Sequence, residues 1–102
     1  MIPSQVVNAK LTSVTRAIAV SGPVVDTDGT IFIDATNGDV TATLPTAVGR
    51  SGRSFLLKCT NVAGGHATIA SAGGNVERAA TYAMAYGESV LVQSDGTDWW
   101  VI

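Results

Sequence analysis

Two side chains in this sequence have the chemistry of nucleophiles, metal ligands or general bases. They are His66, the single histidine, and Cys59, the single cysteine. A serine-type catalytic triad holds its histidine between a serine and an acid, and no motif such as G-x-S-x-G frames a serine here. A zinc site takes about four ligands, more than one cysteine and one histidine supply. We therefore expect His66 to be a solvated loop residue and Cys59 a small hydrophobic residue within a strand.

Carboxylates are the other groups with potential chemistry. The run from Asp26 to Gly29 resembles part of a calcium loop, but aligning Gly29 with the invariant glycine of an EF-hand places Val24 at the first ligand position. Asp95 and Asp98 are of the type that cleaves glycosides in pairs, yet they flank a turn, where aspartates commonly bind backbone N–H groups. We interpret these carboxylates as turn residues. The sequence thus predicts a protein that is not an enzyme and binds no cofactor or metal.

Charge and hydropathy limit the classes of partner. The net charge is −2, and the lysines and arginines are scattered, whereas a phosphate-binding surface needs a cluster of them. No apolar run approaches the roughly 20 residues that span a bilayer. We therefore expect neither a nucleic-acid nor a membrane partner. Only 14% of residues are charged, against about 25% in an average globular protein, which favours a domain whose apolar surface is partly covered by another subunit.

Short apolar runs that alternate with polar residues predict the strands that position these side chains. The predicted strands cover residues 14–20, 30–36, 39–44, 55–60, 67–70, 88–93 and 98–102, with two less regular ones at 75–78 and 79–86. Asn37-Gly38 and Asp95-Gly96 are hairpin signals, because glycine adopts positive φ at no steric cost. The pattern predicts an all-β fold, an antiparallel β-sandwich or β-barrel, with little or no helix.

Alternation also predicts which side chains enter the core and which face a neighbour. The inward set is Val40, Ala42, Leu44, Phe55, Leu57 and Cys59, and Ile31, Ile33 and Ala35 share one side of their strand, opposite Phe32, Asp34 and Thr36. Trp99 and Trp100 are adjacent in one strand, so one should enter the core and the other should face solvent, a ligand or a subunit. Since tryptophan is a common interface anchor, we assign Trp99, Trp100, Tyr82 and Tyr86 to a subunit interface.

The first thirteen residues differ from the rest. Residues 1–13 are small and polar, with no strong period, and they predict an extended N-terminal arm that precedes a single β domain of residues 14–102.

From about residue 30 onward, the order of segments resembles a β module found in virion proteins of tailed bacteriophages, including tail fibres, head fibres and small capsid-surface proteins. The matching segments are residues 33–38 (IDATNG), 40–45 (VTATLP), 49–53 (GRSGR), 55–58 (FLLK), 67–69 (ATI), 73–76 (GGNV), 87–92 (GESVLV) and 94–99 (SDGTDW). The resemblance implies a β-rich, usually trimeric virion module without catalysis.

Such modules often lie at the end of long fibre chains, whereas Met1 here precedes the module by only about thirty residues. The resemblance and the short arm together predict a homotrimeric capsid decoration (cement) protein on the outer capsid surface of the virion, with the major capsid protein as its partner. We assign capsid binding to the start of the arm, residues Met1, Ile2, Pro3, Ser4, Gln5, Val6 and Val7. The alternative is a tail or fibre module that recognises a cell-surface glycan.

Overall fold

The chain folds into β-strands alone over the part that the computed structural model describes, residues 14–102. The strands are β1 (Thr15–Ile18), β2 (Gly22–Pro23), β3 (Thr30–Ile33), β4 (Val40–Leu44), β5 (Ser54–Cys59), β6 (Ala67–Ser71), β7 (Thr81–Ala83), β8 (Ser89–Ser94) and β9 (Trp99–Val101). No helix occurs within that range, so the all-β prediction is confirmed for it. The predicted arm and its capsid-binding residues, Met1 to Val7, lie outside the described residues.

Two open sheets contain these strands. One has the order β1-β3-β5-β8-β9 and the other the order β2-β4-β6-β7. From β1 to β6, consecutive strands alternate between the sheets, so each strand runs parallel to the strand two positions earlier. A parallel pair needs a long crossover connection, and the strand in the opposite sheet supplies it. The last three strands pair antiparallel. Both sheets are therefore mixed, and the predicted antiparallel arrangement is wrong for the first six strands.

The two turn signals behave differently. Asn37-Gly38 closes no hairpin, because β3 and β4 lie in different sheets. Gly38 has φ of 154° and its N–H donates to Ala35 O (3.2 Å), so the chain reverses direction while crossing from one sheet to the other. Asp95-Gly96, by contrast, joins the antiparallel strands β8 and β9 as predicted. Gly96 has φ of 98°, and the Asp95 N–H donates to Asp98 O (3.1 Å).

The buried faces of both sheets contribute to one hydrophobic cluster. Burial alternates strictly along β4, β5 and β8, and all six residues of the predicted inward set are buried, which confirms that prediction. Ile31, Ile33 and Ala35, predicted to share one side, are buried as well. Trp99 is the largest fully buried side chain. Its ring centroid is 5.5 Å from that of Phe55, and its indole N–H donates to Pro45 O (2.9 Å), so the polar end of the ring is satisfied within the core.

The two less regular predictions are only partly matched. Residues 75–78 form a tight turn in place of a strand, in which Val76 makes isolated bridges to Ala79 and Trp99. The strand predicted at residues 79–86 is limited to β7. Beyond β7 the chain turns, and the Glu88 N–H donates to Ala85 O (3.1 Å).

Candidate assembly face

The outer face of the five-stranded sheet carries several large apolar side chains among polar ones, although the inner face of that sheet already supplies part of the core. Leu56 of β5 and Leu91 of β8 are direct partners across the sheet, and their exposed fractions are 38% and 40%. Thr30 pairs with Leu56 from β3. On the other side, the Ile102 N–H donates to Leu91 O (2.8 Å), and Ile102 is 70% exposed. One row across the strands therefore presents three large apolar side chains to solvent.

Neighbouring rows extend this surface. Phe32 is 39% exposed on β3 and has Lys58 as its partner on β5. The Lys58 ammonium donates to Gly87 O, a carbonyl in the loop before β8, so its charge lies toward one end of the sheet. On the other flank, half-buried Trp100 pairs with Gln93. We call the outer surface formed by Phe32, Leu56, Leu91, Trp100 and Ile102 the assembly face.

The outer face of the four-stranded sheet has a different composition. Its outward positions carry small side chains, most of them with a hydroxyl group: Thr41, Thr43, Thr68, Ala70, Thr81 and Ala83. These positions alternate with the buried residues of β4 and β6. The two outer faces are thus unequal: among the described strands, the large exposed apolar side chains lie on the outer face of one sheet, and groups of such side chains mark interaction sites.

The structure separates the four residues that the sequence assigned to a subunit interface. Trp99 is fully buried against Phe55 and offers no surface to a second subunit, so it is removed from that set. Trp100 lies on the assembly face. Tyr82 and Tyr86 do not, because β7 and the loop after it belong to the other sheet and its end.

Hydrogen bonds explain the places of the two tyrosines. The Tyr82 hydroxyl donates to the Glu88 carboxylate (2.6 Å), and this hydrogen bond, with burial and the negative charge, raises the pKa of Tyr82. Tyr86 is exposed, stacks on His66 with ring centroids 5.3 Å apart, and donates its hydroxyl to Gly64 O (2.7 Å). Both side chains join loops at one end of the molecule.

Sequence reasoning missed most of the assembly face. Alternation places Phe32 outward, but it does not show that Leu56 and Leu91 are neighbours, because that depends on the register of β5 against β8. The available signal was the presence of large apolar residues at outward positions of three separate strands. A half-solvated sheet normally has polar residues there.

Two aspartates, Asp26 and Asp28, line a groove at one end of the assembly face. The groove is bounded by residues 26–30, residues 52–54, Leu56 and Leu91, with a volume of about 700 Å³. Each aspartate is paired with an arginine that does not line the groove: Asp28 with Arg16 (2.8 Å) and Asp26 with Arg50 (2.8 Å). The hydrogen bond from the arginine is the largest influence on each carboxylate and lowers the pKa of both.

The groups with potential chemistry are separate from this groove. His66 stacks on Tyr86, and its backbone N–H donates to the Asp39 carboxylate (2.9 Å). Cys59 is buried, with its Sγ 3.2 Å from Asn61 Oδ1. Within residues 14–102, no three His, Cys, Asp or Glu side chains are grouped as metal ligands. The same range contains no helix of the length and hydrophobicity needed to cross a bilayer.

Comparison of the chain with protein-family models, with curated proteins and with solved structures gave no match.

Proposed function

We propose that this protein is a structural, non-enzymatic virion protein that decorates the outer surface of a phage capsid as a homotrimer. The single observation that carries the proposal is the assembly face, which exposes large apolar side chains on one outer face of the fold and not on the other. The sequence resemblance to phage virion modules is our reason for assigning this assembly to a phage particle. In this proposal the described domain is a two-sheet sandwich, and residues 1–13 are its arm.

Assembly through the face is driven by removing apolar surface from water. Burial contributes roughly 25 cal/mol per Å² of apolar area, and Phe32, Leu56, Leu91 and Ile102 each keep more than a third of their surface exposed in the single chain. Five strands spaced about 4.8 Å apart make a sheet about 20 Å wide. Three such sheets with these faces turned toward a common axis form a closed, symmetric assembly that covers the face of each copy.

The arm supplies the contact with the major capsid protein. Thirteen extended residues at about 3.3 Å each reach some 40 Å, far enough to pair with an exposed strand of a neighbouring capsid subunit. Ordering one arm costs roughly 1–2 kcal/mol per residue, so a single arm binds weakly. In a trimer the second and third arms dock at high effective concentration, and the three together hold adjacent capsid subunits.

Two experiments test this proposal. Imaging of the intact particle should locate the protein on the capsid surface, and a location confined to the tail would overturn the capsid role. Deletion of residues 1–13 should leave a folded trimer that no longer decorates capsids. Equal capsid binding by the truncated and full chains would contradict the role of the arm.

The assembly face has its own matched pair of variants. Leu91→Asp places a charge in the middle of the face, and Thr68→Asp places the same charge on the outer face of the other sheet. Sedimentation equilibrium at micromolar concentration should show a trimer for the wild type and Thr68→Asp, and a monomer for Leu91→Asp. A trimer that survives Leu91→Asp would contradict assembly through this face.

A second candidate function is supported by a separate observation. The exposed stack of His66 on Tyr86, beside the backbone of Gly64, forms an aromatic surface of the kind on which sugar rings stack. This surface favours the tail or fibre alternative, in which the module recognises a cell-surface glycan. A glycan array separates the two functions. Binding that is lost in Tyr86→Ala supports glycan recognition, whereas an array without binding favours the capsid role.

A further inference from the structure

A strained turn lies beside the assembly face. Residues 76–79 form a two-residue reversal in which the Val76 N–H donates to Ala79 O (2.7 Å) and the Ala79 N–H to Val76 O (3.0 Å). The central residues, Glu77 and Arg78, have φ of 49° and 72°. This is the type I′ geometry, which glycine and asparagine favour and other residues adopt at a cost. Strain of this kind persists where the surroundings hold it, and it concentrates at functional sites.

Glu77 has a structural reason for its conformation. Its backbone N–H donates to Trp99 O (2.9 Å), and its carboxylate accepts the Val101 N–H (2.7 Å). Both contacts cover the outer edge of β9, which would otherwise be an unpaired sheet edge. The strain at Glu77 is thus offset within the fold.

No comparable contacts explain the strained conformation of Arg78. Its side chain is exposed and makes no hydrogen bond to any residue in the range 14–102, while its guanidinium carbon lies 5.6 Å from the centre of the Trp100 ring. The other cations of that range all donate to carboxylates or carbonyls: Arg16, Arg50, Arg53 and Lys58. Arg78 therefore keeps the five N–H donors of its guanidinium without acceptors in the described part of the chain.

The Arg78 guanidinium lies beside the ring of Trp100. The indole N–H of Trp100 donates to the Asp95 carboxylate (2.7 Å), which holds the ring against the outer face of β9. The next outward residue on that side is Ile102, in the row with Leu91. The turn thus holds Arg78 at the rim of the assembly face, and an arginine beside a tryptophan and aliphatic side chains is the composition of a protein–protein hot spot.

We propose that Arg78 binds a carboxylate of a second copy of this chain, at the rim of the assembly face. This inference rests on the proposed assembly through that face. A second copy fits the charge, because all eight acidic residues of the chain lie in the range 14–102 and only Asp26 and Asp28 form ion pairs there, so a neighbouring copy can offer a carboxylate. It also fits the surroundings, since a polar glycan on Arg78 would leave Ile102 and Leu91, the apolar residues of the row beyond Trp100, in water. A guanidinium and a carboxylate form paired, charge-assisted hydrogen bonds.

Sedimentation equilibrium of the full chain tests this inference with three variants. Arg78→Gln should raise the concentration of half-assembly at least tenfold. Arg50→Gln removes the same charge from an exposed ion pair with Asp26 and should change that concentration less than twofold. Arg78→Gly keeps the turn, since glycine favours its φ of 72°, so the chain should unfold at the same or a higher temperature while its assembly weakens as in Arg78→Gln. A purely structural role predicts that stability and assembly fall together.

The outcomes separate this inference from the assembly on which it rests. If Leu91→Asp dissociates the trimer while both Arg78 variants assemble like the wild type, assembly through the face is supported and the role of Arg78 is overturned. If the wild type is monomeric, both are overturned. An acidic polysaccharide column that retains the wild type but not Arg78→Gln, with assembly equal in the two, assigns Arg78 to a glycan and overturns the inference.

Discussion

Arg16 and Asp28 form an ion pair, and the same arginine joins the two sheets through a hydrogen bond to the edge strand of the other sheet. Arg16 Nη2 lies 2.8 Å from Asp28 Oδ2, and Arg16 Nε lies 3.1 Å from Oδ1, a bidentate geometry. The same Nη2 donates to Pro23 O (2.7 Å) in the edge strand of the other sheet. Asp28 is only 3% exposed and also accepts the Val25 N–H (2.9 Å). One arginine on the edge strand β1 thus binds β2 and the loop before β3.

The first prediction concerns the pH dependence of this pair. The hydrogen bond from Arg16 lowers the pKa of Asp28, with a smaller contribution from the Val25 N–H, while burial opposes the shift. Because the folded pKa is below the unfolded value of about 3.9, the stabilisation is fully present above about pH 4 and is lost as pH falls through the folded pKa. At pH 7, urea denaturation should show that Asp28→Asn lowers the free energy of unfolding by about 1–3 kcal/mol. This range already allows for solvent screening at the exposed Arg16.

A second ion pair serves as the control for that measurement. Asp26 and Arg50 have the same geometry, but the Asp26 side chain is 59% exposed. Asp26→Asn should therefore leave the urea midpoint nearly unchanged, because exposed pairs contribute little. Equal losses of stability in the two variants would show that the burial of Asp28 does not increase the contribution of its ion pair to stability.

The second prediction concerns the close contact between two loops. A Cβ added at Gly65 would lie 2.4 Å from the carbonyl carbon of Gly38 and 2.6 Å from Ala35 O, which are both backbone atoms. Gly65→Ala should therefore destabilise the fold by about 1–3 kcal/mol, as overpacking does. Gly22→Ala is the matched control, because a Cβ there meets nothing within 4 Å. Chemical denaturation that finds the two variants equally stable would contradict the close approach of the loops.

Local patterns were sufficient for most of the strands and for the core, and insufficient for the topology. Alternation identified the inward residues of β4 and β5 and the residues that share a face of β3, because burial on one face imposes a period of two. It did not show whether β3 and β4 pair side by side or face each other across the core, since both arrangements bury the same residues. Asn37-Gly38 specifies a reversal of the chain but not which strands pair after it. The hairpin predicted at Asp95-Gly96 is confirmed because the two strands that flank it, β8 and β9, pair with each other.

The candidate site depended on contacts that are distant in sequence. Leu56 and Leu91 become neighbours only through the register of β5 and β8, and no local pattern contains that register. Likewise, the sequence showed that one of Trp99 and Trp100 must be buried, but not which one. The positive φ of Arg78 could not be read from a Glu-Arg dipeptide, because the residues that favour such turns are glycine and asparagine.

The third prediction concerns Cys59, which is fully buried in β5. A thiol reacts as the exposed thiolate, so Cys59 should be modified by a water-soluble disulfide reagent only when the chain opens. In the native protein, Cys59 should be modified far more slowly than free cysteine in buffer. In denaturant, its rate of modification should rise to that of free cysteine. Fast modification of the native protein would show that β5 and β8 separate locally.

The last prediction contrasts the two adjacent tryptophans. Trp99 is fully buried, packs on Phe55 and donates to Pro45 O, so Trp99→Ala should destabilise the single chain by about 3–5 kcal/mol. Trp100 lies on the assembly face, so Trp100→Ala should cost the fold about 1 kcal/mol or less and should mainly weaken assembly. Denaturation and sedimentation equilibrium of both variants measure the two effects separately. If Trp100→Ala loses as much stability as Trp99→Ala while its assembly is unchanged, Trp100 supports the fold and has no part in a subunit contact.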